Sequence, residues 1–144
     1  MNCENSLVKG KKTFKVTGEL KEKTLRIISR ELEKEERVLL AIVFGGFLEK
    51  KYTKDADVAV YLDKPEDPVD DYGYTEELGK KLSKLTGVSV DITALNHAPD
   101  PILNHVMLKG VVVVNKKPRL LYGLKLLATE QKQAFTTKEI SRKP

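Results

Sequence analysis

Val38-Leu39-Leu40-Ala41-Ile42-Val43-Phe44-Gly45-Gly46, then eight residues, then Asp55-Ala56-Asp57-Val58-Ala59-Val60-Tyr61-Leu62: this stretch carries the fold assignment. Residues 38–44 form a continuous apolar run of strand length, the pattern of a strand covered on both faces, and it stops at two glycines. Asp57 to Leu62 reads as a second strand. Alternate residues of a strand share a face. Asp55 and Asp57 therefore point the same way, with Ala59 and Tyr61 behind them, while Val58, Val60 and Leu62 take the other face. Further on, Val88-Ser89-Val90-Asp91-Ile92-Thr93 alternates strictly, which puts Ser89, Asp91 and Thr93 on one face of a third strand. An acid inside an apolar strand is costly to bury unless it is paired or ligates a cation. If these two strands are neighbours, Asp55, Asp57 and Asp91 make a carboxylate cluster whose mutual repulsion calls for a cation. An all-oxygen set suits Mg²⁺ or Mn²⁺. Taken singly, Asp55 also fits a strand cap and Asp91 an acid exposed at a sheet edge.

The flanking sequence supplies helices to cover such a sheet. Lys12 to Thr17 alternates weakly as a short strand. Thr17 then suits the N-cap of a helix running to about Glu35, with an apolar stripe at Leu25, Ile28 and Leu32. Pro65 and Pro68, among Glu66, Asp67, Asp70 and Asp71, mark a loop of solvated acids after Asp63. Thr75 is placed to cap the next helix, with Leu78, Leu82 and Leu85 on one face and Gly87 at its end. Asp100-Pro101 opens a short helix carrying Ile102, Leu103, Val106 and Met107 and ending at Gly110. Val111 to Val114 is a fourth strand, and a helix from about Pro118 offers Leu120, Leu124 and Leu127 to the core. The pattern predicts one α/β domain (α+β in detail), a mixed sheet flanked by helices, over residues 1–144. Its core spans about 18–115, and a helical, basic C-terminal appendage covers 116–144.

Composition excludes several function classes. With 40% hydrophobic and 33% charged residues, the chain is neither disordered nor fibrous. No apolar run approaches the ~20 residues that cross a bilayer, and the N-terminus lacks a signal-peptide pattern. Cys3 is the single cysteine, which rules out an internal disulfide or a cysteine-based zinc site and fits a reducing cytoplasm. The net charge of +5 is uneven: residues 116–144 hold eight Lys/Arg against two acids, net +6, so the rest is net −1. A basic segment of this kind can meet nucleic acid or an acidic partner. No aromatic-interleaved basic stripe supports nucleic acid, and a solvated helix face is the commoner reading. His97 and His105 read as surface or locally packed residues, and Tyr72 and Tyr74 as loop anchors near the mouth of the site.

Gly45-Gly46 permits a tight turn and a close approach of ligand to backbone. If residues 46–51 start a short helix, its free N–H groups face an anion such as a phosphate, with Lys50, Lys51 and Lys54 nearby to neutralise it. No Gly-Lys-Ser/Thr follows, so this is not a Walker loop. Together the strand, Gly45-Gly46, Asp55-Ala56-Asp57 and Asp91 resemble the polymerase-β-like nucleotidyltransferase superfamily. The resemblance is to its minimal nucleotidyltransferase branch, the small antitoxins paired with HEPN-domain toxins. It runs over roughly residues 20–128, including Val90-Asp91-Ile92-Thr93-Ala94-Leu95-Asn96 and Val111 to Val114.

The resemblance implies that Gly45 and Gly46 hold a triphosphate, that Asp55 and Asp57 bind two Mg²⁺ ions, and that Asp91 completes the site beside the attacking hydroxyl. It implies transfer of AMP from Mg·ATP, with release of pyrophosphate, to a protein hydroxyl. That acceptor would be a tyrosine of the partner HEPN toxin. Three departures stand out: Gly46 occupies the place of the family's serine, the following loop is two residues shorter, and Glu49, Lys50 and Lys51 replace the usual arginines. They leave open a second reading, an antitoxin that neutralises its partner by binding alone, through the basic C-terminal helix.

Overall fold

The computed structural model describes residues 12–142. Cys3 and Lys143 lie outside the described residues, as do the side chains of Lys138, Glu139 and Arg142. In chain order the elements are β1 (Phe14–Lys15), α1 (Gly18–Glu33), β2 (Val38–Phe44), α2 (Gly46–Glu49), β3 (Tyr52–Thr53), β4 (Ala56–Leu62), α3 (Pro68–Thr86), β5 (Val90–Ala94), a 3-10 turn (Leu95–His97), α4 (Asp100–Lys109), β6 (Val111–Asn115) and α5 (Pro118–Arg142). Four strands form a mixed sheet in the order β5-β4-β2-β6, and β1 pairs with β3 in a separate two-stranded ribbon. Within the larger sheet β2 runs antiparallel to β4 and β6, whereas β4 and β5 are parallel. No helix among the described residues is long and apolar enough to cross a membrane.

The uninterrupted apolar run of β2 is explained by its position, because both faces of the sheet are covered. Ala41 and Val43 join Val58, Val60 and Leu62 of β4, Ile28 and Leu32 of α1, and Leu78 and Leu82 of α3 in one core. Ile42 and Ala59 face the opposite way, into a second core with Leu95, Val106, Met107 and Ala128. The alternation of β4 thus separates two cores, and its Asp57 lies on the same face as Ala59.

Helix boundaries follow capping chemistry. Thr17 caps α1, its Oγ1 accepting from the Leu20 N–H at 3.0 Å. The next helix departs from expectation. It starts at Pro68, not Thr75: Asp67 is the cap, accepting from the Asp70 N–H at 2.9 Å, and proline fills the first helical position. The Thr75 hydroxyl instead donates to the Tyr72 carbonyl at 3.0 Å, inside the helix. Residues 68–74 escaped recognition because their inward residue is an acid, Asp71, and not an apolar side chain. The buried stripe of α3 runs Asp71, Thr75, Leu78, Leu82, Thr86, which leaves Leu85 48% exposed. A similar shift of one residue occurs in α5. Leu121, Leu124 and Ala128 face the second core, and Leu127 is 45% exposed.

Side chains finish the sheet where the strands stop. Asn96, just past β5, accepts from the Leu62 N–H at 2.8 Å and donates to the Leu62 carbonyl at 3.0 Å. One amide thereby extends the β4–β5 ladder by a rung and fixes the alignment of the two strands.

Candidate active site

Gly45 ends β2 with φ 82° and ψ −157°, a region that only glycine enters without strain. The turn leads into α2, a single helical turn anchored by Phe47. That side chain is fully buried and meets the Phe14 ring at 6.3 Å between centroids. Lys21 caps the other end, its Nζ donating to the Leu48 carbonyl at 2.9 Å. A Cβ on Gly45 would stand 2.8 Å from Asp57 Oδ2, so the turn backbone and this carboxylate are in direct apposition. Gly46 is glycine for a related reason. A Cβ there would lie 3.0 Å from Thr53 Oγ1 and 3.4 Å from Lys50 Cδ, and the Thr53 hydroxyl donates to the Asp55 carbonyl at 3.3 Å. Gly45→Ala is therefore expected to cost about 1–3 kcal/mol from backbone strain alone, with further loss from displacement of Asp57. Urea unfolding of the variant measures this, and stability equal to wild type would contradict the apposition.

Strand pairing places the acids. Asp57 is in register with Phe44 on β2 and with Asp91 on β5, so the adjacency that a carboxylate cluster requires is present, with the two strands parallel. Asp57 and Asp91 share a face by register, and Asp91 is exposed on the edge strand. Asp55 precedes β4 by one residue, and its Oδ1 accepts from the Ser89 hydroxyl at 2.7 Å. Of the lysines, Lys50 lays its stem against Gly46, whereas Lys51 and Lys54 flank β3 as exposed residues. Among the described residues no three His, Cys, Asp or Glu side chains converge as a metal cage. That arrangement is compatible with Mg²⁺, which keeps several waters and takes one or two carboxylates plus substrate phosphates, not a full protein cage. Carboxylates on one face beside a glycine turn are the right donors for it.

Two grooves run along the β5 edge. One, of about 890 Å³, lies against α3 and includes Ser89, Asp91, Lys80 and Lys84; the other, of about 450 Å³, includes Asp91, Thr93, His97 and Ile102. Asp91 and Tyr72 border both, while Gly45, Asp55 and Asp57 border neither. The grooves thus open toward the third acid alone. Tyr72 is 65% exposed and bonds Glu76 at 3.2 Å; the Glu76 charge, with a smaller push from Asp91, raises its phenol above the ordinary range. Tyr74 is an anchor elsewhere: it donates to Glu35 at 3.0 Å and lies under the Arg37 guanidinium, 4.7 Å from its ring centroid.

The acid that sequence reasoning misplaced is Asp71. It is fully buried in the first turns of α3, not solvated in a loop. Its Oδ1 accepts from Arg37 Nη2 at 2.8 Å, and its Oδ2 from the Glu66 N–H at 3.1 Å and from His97 Nε2 at 2.6 Å. Burial would raise its pKa, but these three donors, Arg37 foremost, outweigh it and hold the carboxyl below the ordinary aspartate range. An ionised carboxylate only accepts, so His97 Nε2 is the donor in this bond. The Arg37 guanidinium is raised in turn, chiefly by its bond to Asp71. His105 meets Phe44 edge-on at 6.2 Å between ring centroids. Burial of Asp71 had no local signature, since its two side-chain partners, Arg37 and His97, lie 34 and 26 residues away.

A family model described as polymerase beta, nucleotidyltransferase, matches residues 26–119. No curated protein sequence matches. Several solved structures share the fold. A chain of the toxin–antitoxin complex MntA–HepT is 17% identical, with 87% of this chain and 94% of that chain covered at a TM-score of 0.57. A chain from the complex of tri-AMPylated Shewanella oneidensis HEPN toxin with MNT antitoxin is 18% identical, covering 85% and 93% at a TM-score of 0.59. A third, from a toxin–antitoxin structure with AMP-PNP, is 17% identical, covering 84% and 93% at a TM-score of 0.60.

Proposed function

Because the chain belongs to the polymerase beta nucleotidyltransferase family, we propose that it transfers AMP from Mg·ATP to a protein hydroxyl and acts as the antitoxin of a HEPN-type toxin. The observation that carries this reading is the register of β4 with β5, which puts Asp57 opposite Asp91 with the Gly45 turn against Asp57. The acceptor reading draws on the relative described with a tri-AMPylated HEPN toxin, and the nucleotide on the relative described with AMP-PNP. A cytoplasmic location suits ATP as substrate.

Asp55 and Asp57 are the residues to hold Mg²⁺, two ions in the full assembly, with Asp91 completing the set. Held there, the cations would supply electrostatic stabilisation of the charge that develops in an in-line displacement at phosphorus. The Gly45-Gly46 backbone receives the triphosphate closely, because neither residue has a side chain in the way, and Lys50 supplies a positive charge beside it. Asp91, exposed at the edge, accepts the proton of the attacking hydroxyl. A bond forms from that oxygen to the α-phosphorus as the bond to the pyrophosphate oxygen breaks.

Calorimetry of ATP binding in millimolar Mg²⁺, on wild type and Asp57→Asn, tests the reading without an acceptor. Metal-dependent binding that disappears in the variant supports it. A folded wild type that binds no nucleotide favours the second reading, neutralisation of the partner by binding alone, to which the absence of a hydroxyl at Gly46 also points.

A further inference from the structure

Asp55 is the least constrained of the three acids by the sheet. The ladder of β4 begins at Ala56, so strand pairing does not set the orientation of the Asp55 side chain. Other contacts do. The Thr53 hydroxyl holds its carbonyl, and the Ser89 hydroxyl holds its carboxylate at 2.7 Å. Ser89 is itself tightly placed: its carbonyl accepts from the Ala56 N–H at 2.8 Å, so one residue grips the Asp55-Ala56 pair through both main chain and side chain. The next residue ties this grip to α3. The Val90 N–H donates to Ser83 Oγ at 2.9 Å, and the Ser83 hydroxyl donates to the Gly79 carbonyl at 2.8 Å. A hydroxyl has a single proton, and at Ser89 it goes to Asp55 Oδ1, which fixes the direction of that oxygen.

We infer that Ser89 is a positioning residue that orients the Asp55 carboxylate for cation binding. The inference rests on the reading of Asp55 as a metal ligand. Outer partners that orient a ligating carboxylate typically change metal affinity by ~10–100-fold when removed. A purely structural serine would instead affect folding and leave metal affinity alone.

The test is a titration of the whole protein with Mn²⁺, free metal being followed by electron paramagnetic resonance, on wild type, Ser89→Ala, Ser89→Thr and Asp55→Asn. Thermal unfolding is recorded in parallel. The expected outcome is a loss of about tenfold or more in Mn²⁺ affinity for Ser89→Ala, affinity near wild type for Ser89→Thr, which keeps the hydroxyl, and loss of the Asp55-dependent site in Asp55→Asn. Should Ser89→Ala unfold early, Ser89→Cys keeps the volume with a much weaker donor and is expected to weaken Mn²⁺ in the same way. Wild-type affinity in Ser89→Ala or Ser89→Cys, with Asp55→Asn defective, overturns the role of Ser89 and leaves the metal reading standing. Wild-type affinity in Asp55→Asn overturns the metal reading itself.

Discussion

Asp57→Asn is expected to leave the protein folded and to reduce AMP transfer by about a thousandfold or more. Cation stabilisation of the charge developing in the transition state is worth several kcal/mol, and each 1.36 kcal/mol is about a factor of ten in rate. Asparagine keeps the size and shape of the side chain beside Gly45 but brings no charge to the cation. The measurement is transfer of label from α-labelled ATP to a co-purified HEPN-type partner, with circular dichroism and thermal unfolding as controls. A variant that retains transfer within tenfold of wild type refutes the assignment of this carboxylate. Loss of transfer combined with loss of the fold would show that Asp57 serves the sheet and not the chemistry.

The second large effect lies in stability, away from the glycine turn. Asp71→Asn is expected to lower the unfolding free energy at neutral pH by about 2–4 kcal/mol. Breaking a buried ion pair typically costs about 3–5 kcal/mol, and the Arg37 side chain is partly exposed, which reduces the penalty of leaving it unpaired. The pH dependence has a definite sign. Asp71 is depressed below its ordinary value in the folded state, so the unfolded chain takes up its proton first as pH falls. The stabilisation is fully present above the unfolded aspartate value of about 3.9 and is lost as pH drops through the lower folded value. Urea unfolding of wild type and Asp71→Asn across this range checks both statements. The gap between them should be constant from neutral pH down to about 4 and close below it. A gap already closing near pH 6 would contradict the assignment of this pH dependence to Asp71.

These two acids also mark how legible the molecule was. Asp57 announced itself because it stands with Asp55 at the opening of an apolar strand, shortly after a glycine pair, and a strand's twofold period assigns its face without knowledge of any partner. Asp71 sits in a polar, proline-containing stretch whose default reading is a solvated loop, and it carries no local mark of burial. The same holds for Leu85 and Leu127, which were expected in the core. Their spacing is helical, but helical spacing defines a stripe only to within about one residue, and neighbouring residues in α3 and α5 took the inward positions. Ser89 falls between these cases. Its alternation with Asp91 and Thr93 indicated the right face, but its bond to Asp55 joins residues 34 apart and required β4 and β5 to pair.

What local rules settle, the sequence settled: the two-sided cover of β2, the turn at Gly45, the cap at Thr17 and the shared face of Asp57 with Ala59 and of Asp91 with Thr93. Such features depend on dihedral sterics and on periods of two or 3.6 residues, all of which act within a few residues. The choice of β5 as the parallel neighbour of β4, the match of Asp57 with Asp91, the hold of Ser89 on Asp55 and the burial of Asp71 between Arg37 and His97 were decided by the folded chain. Each joins segments separated by tens of residues. Their energies come from desolvation and hydrogen-bond geometry that exist only once the sheet and its covering helices have closed around them.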